Sequence, residues 1–101
     1  MATDRHVYGQ INSKTGMKKV FSEIRKDVSH AKSRPALTEL YKRAGYLITL
    51  THASSWKEKF GGEARELRTV GEDEFGKTAR KINSQAKKIG EDADFDEKWG
   101  K

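Results

Sequence analysis

Hydrophobic positions fall into three helical stripes along this chain, separated by short polar breaks. Residues 1–14 precede the first stripe and show no sustained period; Val7, Tyr8 and Ile11 are their only sizeable apolar side chains besides Met1. They read as a flexible arm that docks through Tyr8. Over residues 15–32, Met17, Val20, Phe21, Ile24, Val28 and Ala31 recur at the spacing of one helix face. Lys18, Arg25 and Lys32 repeat every seven residues on the other side, flanked by Lys19 and Lys26. Glu23 and Asp27 take a third sector. The pattern predicts an amphipathic helix with a basic outer face.

The second stripe lies in the stretch around which the sequence predicts the chain to be organised, residues 35–56, of which 44–56 contain no Lys, Arg, Asp or Glu. Leu37, Leu40, Tyr41, Ala44, Leu47, Ile48 and Thr51 share one face, with Tyr46 and Leu50 on the opposite side. Apolar on two sides, it predicts a central helix ending near Ala53. Pro35 suits the first turn, and it places the break between helices at Arg34. A strand competes, because Tyr46, Ile48 and Leu50 alternate and Ile48, Thr49 and Thr51 are β-branched. Only residues 6–11 could partner such a strand, so the helix is preferred. The short connection makes the first two helices antiparallel.

Ser55 followed by Glu58 matches a capping box and predicts a short helix carrying Trp56 and Phe60, stopped by Gly61 and Gly62. The third stripe runs over residues 63–89: Ala64, Leu67, Val70, Phe75, Thr78, Ala79, Ile82, Ala86 and Ile89. Lys87 and Lys88 occupy its last turn, before Gly90. Gly71, together with a second capping-box match at Thr69 and Glu72, predicts a kink or a fresh start there. Residues 91–101 place acidic groups around Phe95 and Trp99. A disordered tail is the plain reading, and a short docking helix with two aromatic anchors is the sharper one. The fold predicted is all-α: a small antiparallel bundle of three main helices plus one short helix. Its segments are a loose arm (1–14), a helical domain (15–90) and an acidic aromatic tail (91–101).

Composition adds constraints. The chain has 101 residues, 36% of them charged, and no cysteine, which removes disulfides, thiolate chemistry and cysteine-bound zinc. No apolar run is long enough to span a bilayer and no signal peptide is recognisable, so the expected location is cytoplasmic. The net charge of +6 divides into +7 over residues 1–60, +2 over 61–90 and −3 over 91–101. A basic body with an acidic tail points to a polyanionic partner or to a tail that folds back on the body.

Candidate chemistry is sparse. Residues 71–78, GEDEFGKT, match the phosphate-binding pattern G-x-x-x-x-G-K-T. Glu72, Asp73 and Glu74 would put three negative charges in the cradle, and the preceding residues read as helix rather than strand, so the match is rejected. Asp92, Asp94 and Asp96 resemble the opening of a calcium loop, but Glu97 stands where glycine is required. His52 and Ser55 could share a helical face, yet no carboxylate is placed to orient His52. His52 reads as a partly buried polar residue near a helix end. His6, His30 and His52 lack metal-ligand spacing. No small-residue and turn-glycine series fits a helix-turn-helix. Neither a catalytic constellation nor a metal or cofactor site follows.

Two functional leads remain. The first is a protein-interaction surface built from Tyr46, Leu50, Phe95 and Trp99, taking a protein partner or a second copy of the chain. It makes the chain a non-enzymatic interaction or regulatory module. The alternative is weakly sequence-specific nucleic-acid binding through Lys18, Lys19, Arg25, Lys26, Lys32, Arg34, Lys77, Arg80, Lys81, Lys87 and Lys88, with Lys42 and Arg43 nearby.

Overall fold

The computed structural model describes residues 13–100. The arm expected over residues 1–14 lies outside them, apart from Ser13 and Lys14, which open the first helix. The architecture is the all-α bundle: α1 (Lys14–Val28), α2 (Arg34–Thr51), the short α3 (Ser54–Phe60), a 3₁₀ turn (Gly61–Glu63) and α4 (Ala64–Lys88).

Each stripe becomes a buried face. In α1 the Ser13 hydroxyl accepts from the Gly16 amide at 3.1 Å, and Met17, Val20, Phe21, Ile24 and Val28 are buried. The helix stops at Val28, short of the predicted end at residue 32. The amides of Ser29, His30 and Ala31 instead bond carbonyls three residues back, at 3.2, 3.0 and 3.1 Å. Tightening the last turn in this way reverses the chain within five residues and still buries Ala31. The Gln85 amide nitrogen donates to the freed Ala31 carbonyl at 2.8 Å. Ser33 caps α2 by accepting from Ala36, with Pro35 in the first turn. At the other end of α2 the Arg68 guanidinium donates two hydrogen bonds, 3.1 and 2.9 Å, to the Thr51 carbonyl.

Two local expectations fail. No Ser55–Glu58 capping box forms: α3 begins after Ala53, with no side-chain cap. It is held from its far side, where Trp56 Nε1 donates to the Ala64 carbonyl at 3.3 Å and the Trp56 and Phe60 rings lie 4.4 Å apart. Nor does α4 break at Gly71. It continues through Thr69 and Glu72 for 25 residues. Gly71 is buried where α1 and α2 both reach α4: a Cβ there would stand 3.5 Å from Met17 Cε and 3.6 Å from Ile48 Cδ1. Packing on both flanks outweighs a helix penalty of about 1 kcal/mol for glycine. The phosphate-loop match therefore sits wholly inside a helix, where its backbone amides bond the helix ladder.

The hub is also displaced from the expected one. α4, rather than α2, packs most extensively on both other long helices. Small buried residues along it (Gly71, Ala79, Ala86) let α1 and α2 approach from either side. Contacts Lys14–Glu66, Arg25–Glu74 and Ala31–Gln85 run in one order, so α1 and α4 are parallel to each other, with α2 antiparallel between them in sequence.

Candidate functional site

The site begins where α4 ends. Gly90 adopts φ +76°, a left-handed conformation open to glycine. The Gly90 amide donates to the Lys87 carbonyl at 3.2 Å, and the Glu91 amide reaches the Ala86 carbonyl at 2.8 Å. This paired closure satisfies the last carbonyls of α4 and turns the chain back on itself. Residues 91–100 form no helix. They run as an irregular extended strap, antiparallel to α4, along the groove between α2 and α4. Both readings of the tail are thereby corrected: it is ordered without being helical. Folding back on the body is the part of the charge argument that the structure realises.

Bundle side chains read the strap's backbone. Asn83 uses both ends of its amide on Phe95: Nδ2 donates to the Phe95 carbonyl at 2.9 Å, and Oδ1 accepts from the Phe95 amide at 3.0 Å. The Tyr41 hydroxyl donates to the Asp96 carbonyl at 2.9 Å. Arg34 donates to the Asp92 carbonyl at 2.6 Å and to Asp94 Oδ1 at 2.7 Å, and its guanidinium stacks 4.7 Å from the Phe95 ring centre. Arg80 meets Glu97 at 2.8 Å. Both ion pairs are solvent-exposed, so water and salt screen them. The Asp94 hydrogen bond lifts the Arg34 guanidinium above its ordinary pKa. Burial, and then the nearby Asp96 carboxylate, do the same for the Tyr41 phenol.

Apolar contact is supplied by rings. Tyr41 lies 5.0 Å from Phe95, 5.4 Å from Trp99 and 5.4 Å from Phe75, and Phe75 stands 6.0 Å from Trp99. The Trp99 indole rests on the bare backbone of Gly45, where any Cβ would clash with the ring. Its Nε1 donates to Thr49 Oγ1 at 3.0 Å, and Thr49 in turn donates to the Gly45 carbonyl at 3.2 Å.

Of the predicted interaction residues, Phe95 and Trp99 are thus engaged within the chain and half-buried. Tyr46 is 47% exposed on α2, beside Gly45, and Leu50 is half-buried against the core. The basic residues divide. Arg25, assigned to the outer face, turns inward between α1 and α4, where it meets Glu74 at 2.9 Å and donates to Thr78 Oγ1 at 3.2 Å. Glu74 is 3% exposed, and Lys77 closes on it at 3.2 Å. Arg34 and Arg80 serve the strap. Lys18, Lys19, Lys26, Lys32, Lys81, Lys87 and Lys88 are exposed and form no ion pair among the described residues. His52 and Ser55 are both exposed, correcting the partly buried reading of His52. They share no hydrogen bond among the described residues.

Asn83, Gly45 and Thr49 were not singled out from sequence. Gly45 carried a signal, as a glycine inside an otherwise bulky helical run. Asn83 and Thr49 carried none, because backbone recognition leaves no period. Comparison with protein-family models, curated proteins and solved structures finds no match to the chain.

Proposed function

We propose that this chain is a non-enzymatic protein-interaction or regulatory module. One observation carries the reading: the α2–α4 groove holds an extended segment by the backbone, through Asn83, Tyr41 and Arg34, as a receptor holds a peptide. Tyr46 on α2 is the exposed large apolar side chain among the described residues. A pull-down from the native host with the full chain, with and without nuclease, tests it. A protein partner should survive nuclease and respond to Tyr46→Ala or Trp99→Ala. A partner lost on nuclease treatment would overturn the reading.

Nucleic-acid binding is the second reading, favoured by six exposed lysines on the neighbouring helices α1 and α4 (Lys18, Lys19, Lys26, Lys81, Lys87 and Lys88) and by Lys32 in the connection after α1. It is the weaker one, since Arg25, Lys77, Arg34 and Arg80 are committed to carboxylates of the same chain. It requires affinity that falls steeply with added salt and is abolished by Lys18, Lys81 and Lys88→Glu together.

A further inference from the structure

The contacts around the strap define what else fits the groove. Asn83 and Tyr41 bond amide and carbonyl groups that any extended peptide offers. Specificity comes from side chains. Arg34 and Arg80 face the carboxylates of Asp94 and Glu97. Tyr41 and Phe75 receive the rings of Phe95 and Trp99, and Gly45 gives the second ring a flat seat. Read along residues 94–99, the recognised pattern is acidic-aromatic-x-acidic-x-aromatic.

We propose that the α2–α4 groove is a receptor site for an extended segment of a partner protein carrying this pattern, and that residues 91–100 are its resident competitor. The proposal rests on the interaction-module reading and supplies the partner's chemistry. Release of the strap leaves α4 intact, because its end is already closed at Gly90 and Glu91 by bonds to Lys87 and Ala86. A second copy of the chain is the poorer occupant. Its strap would repeat the same contacts, while the attached strap competes at an effective concentration on the order of mM. A partner can gain more. Beside Trp99 the strap leaves unfilled an open cleft of about 460 Å³, walled by Glu72, Asp73 and Arg80 of α4 and by Glu97 and Lys98 of the strap. A partner segment with a bulkier side chain beside its second aromatic residue would fill it.

The test uses the full-length, isotope-labelled chain and an unlabelled synthetic peptide, GEDADFDEKWG, followed by NMR. The peptide should displace the attached strap: the Phe95 amide and Trp99 indole signals move while helix signals stay. Trp99→Ala, which weakens the internal competitor, should bind the peptide at least about tenfold more tightly than the unaltered chain. Adding Asn83→Ala to that variant should weaken binding about fivefold or more. A peptide with both aromatic residues replaced by alanine should not bind. The proposal is overturned if the Trp99→Ala chain keeps its helices yet ignores the peptide. It is equally overturned if Trp99→Ala, or the milder Asn83→Ala alone, melts the bundle, since the strap would then be core rather than competitor. Concentration-dependent dimers of the unaltered chain at micromolar levels would assign the groove to a second copy instead. Failure of the peptide removes this partner chemistry; the interaction-module reading falls separately, if the pull-down finds only a partner that is lost on nuclease treatment.

Discussion

α4 is flanked by two seams that are closed in different ways. Toward α1, apolar side chains close the seam and a buried carboxylate, Glu74, is paired with Arg25 and Lys77. Toward α2, the outer half of the seam is closed by the strap, through exposed ion pairs, side-chain bonds to backbone and half-buried rings. The first closure cannot open without stranding a charge in the core. The second can exchange each of its polar contacts for water. Stability belongs to the one seam; in the proposed reading, recognition belongs to the other.

Substitutions separate the two. The largest effect is expected from Arg25→Ala, which leaves Glu74 without its guanidinium. Buried pairs broken this way cost about 3–5 kcal/mol, and the lower end applies because Lys77 remains. Urea unfolding should show it, and Arg25→Met combined with Glu74→Leu should recover most of the loss. Gly45→Ala should instead unseat Trp99 and release the strap with helix content unchanged, read from the Trp99 indole signal. Asn83→Ala removes both bonds to Phe95 and should weaken strap docking by about 1–2 kcal/mol, with global unfolding almost unmoved.

Tyr41 gives the docked strap a dependence on pH. Its phenol is raised in the folded state, so its contribution is complete below its ordinary value of about 10. The contribution is lost as pH rises through the folded value. Docking should therefore weaken in alkaline solution, and Tyr41→Phe should remove that dependence. The smallest effect has the opposite sign. Gly71→Ala adds a methyl at ordinary contact distance and should stabilise the chain by up to about 1 kcal/mol, seen as a higher urea midpoint. Two buried glycines on the helices flanking one groove thus answer the same substitution in opposite ways.

Much of the bundle was legible in the sequence because helix faces repeat every 3.6 residues and burial follows that repeat. The stripes of α1, α2 and α4 became the core, with only Tyr41, Val70 and Ile89 left half-buried. Departures came where long-range packing overrides local preference. Gly71 looked like a break because its neighbours Met17 and Ile48 lie far off in sequence. Arg25 looked like part of a solvated stripe because Glu74 is 49 residues away. The strap was foreshadowed by its charge and its two aromatic residues. Its extended form was not, since Asn83 and Tyr41 bind backbone atoms common to every residue.

Native-state hydrogen exchange tests the central claim most directly, by comparing the Phe95 amide, held by Asn83, with the amides of Leu47 and Ile82 inside the helices. If the strap is a separable occupant of its groove, Phe95 exchanges through an opening well below the global unfolding free energy, while Leu47 and Ile82 exchange only with unfolding. Identical opening free energies at all three positions would contradict the account.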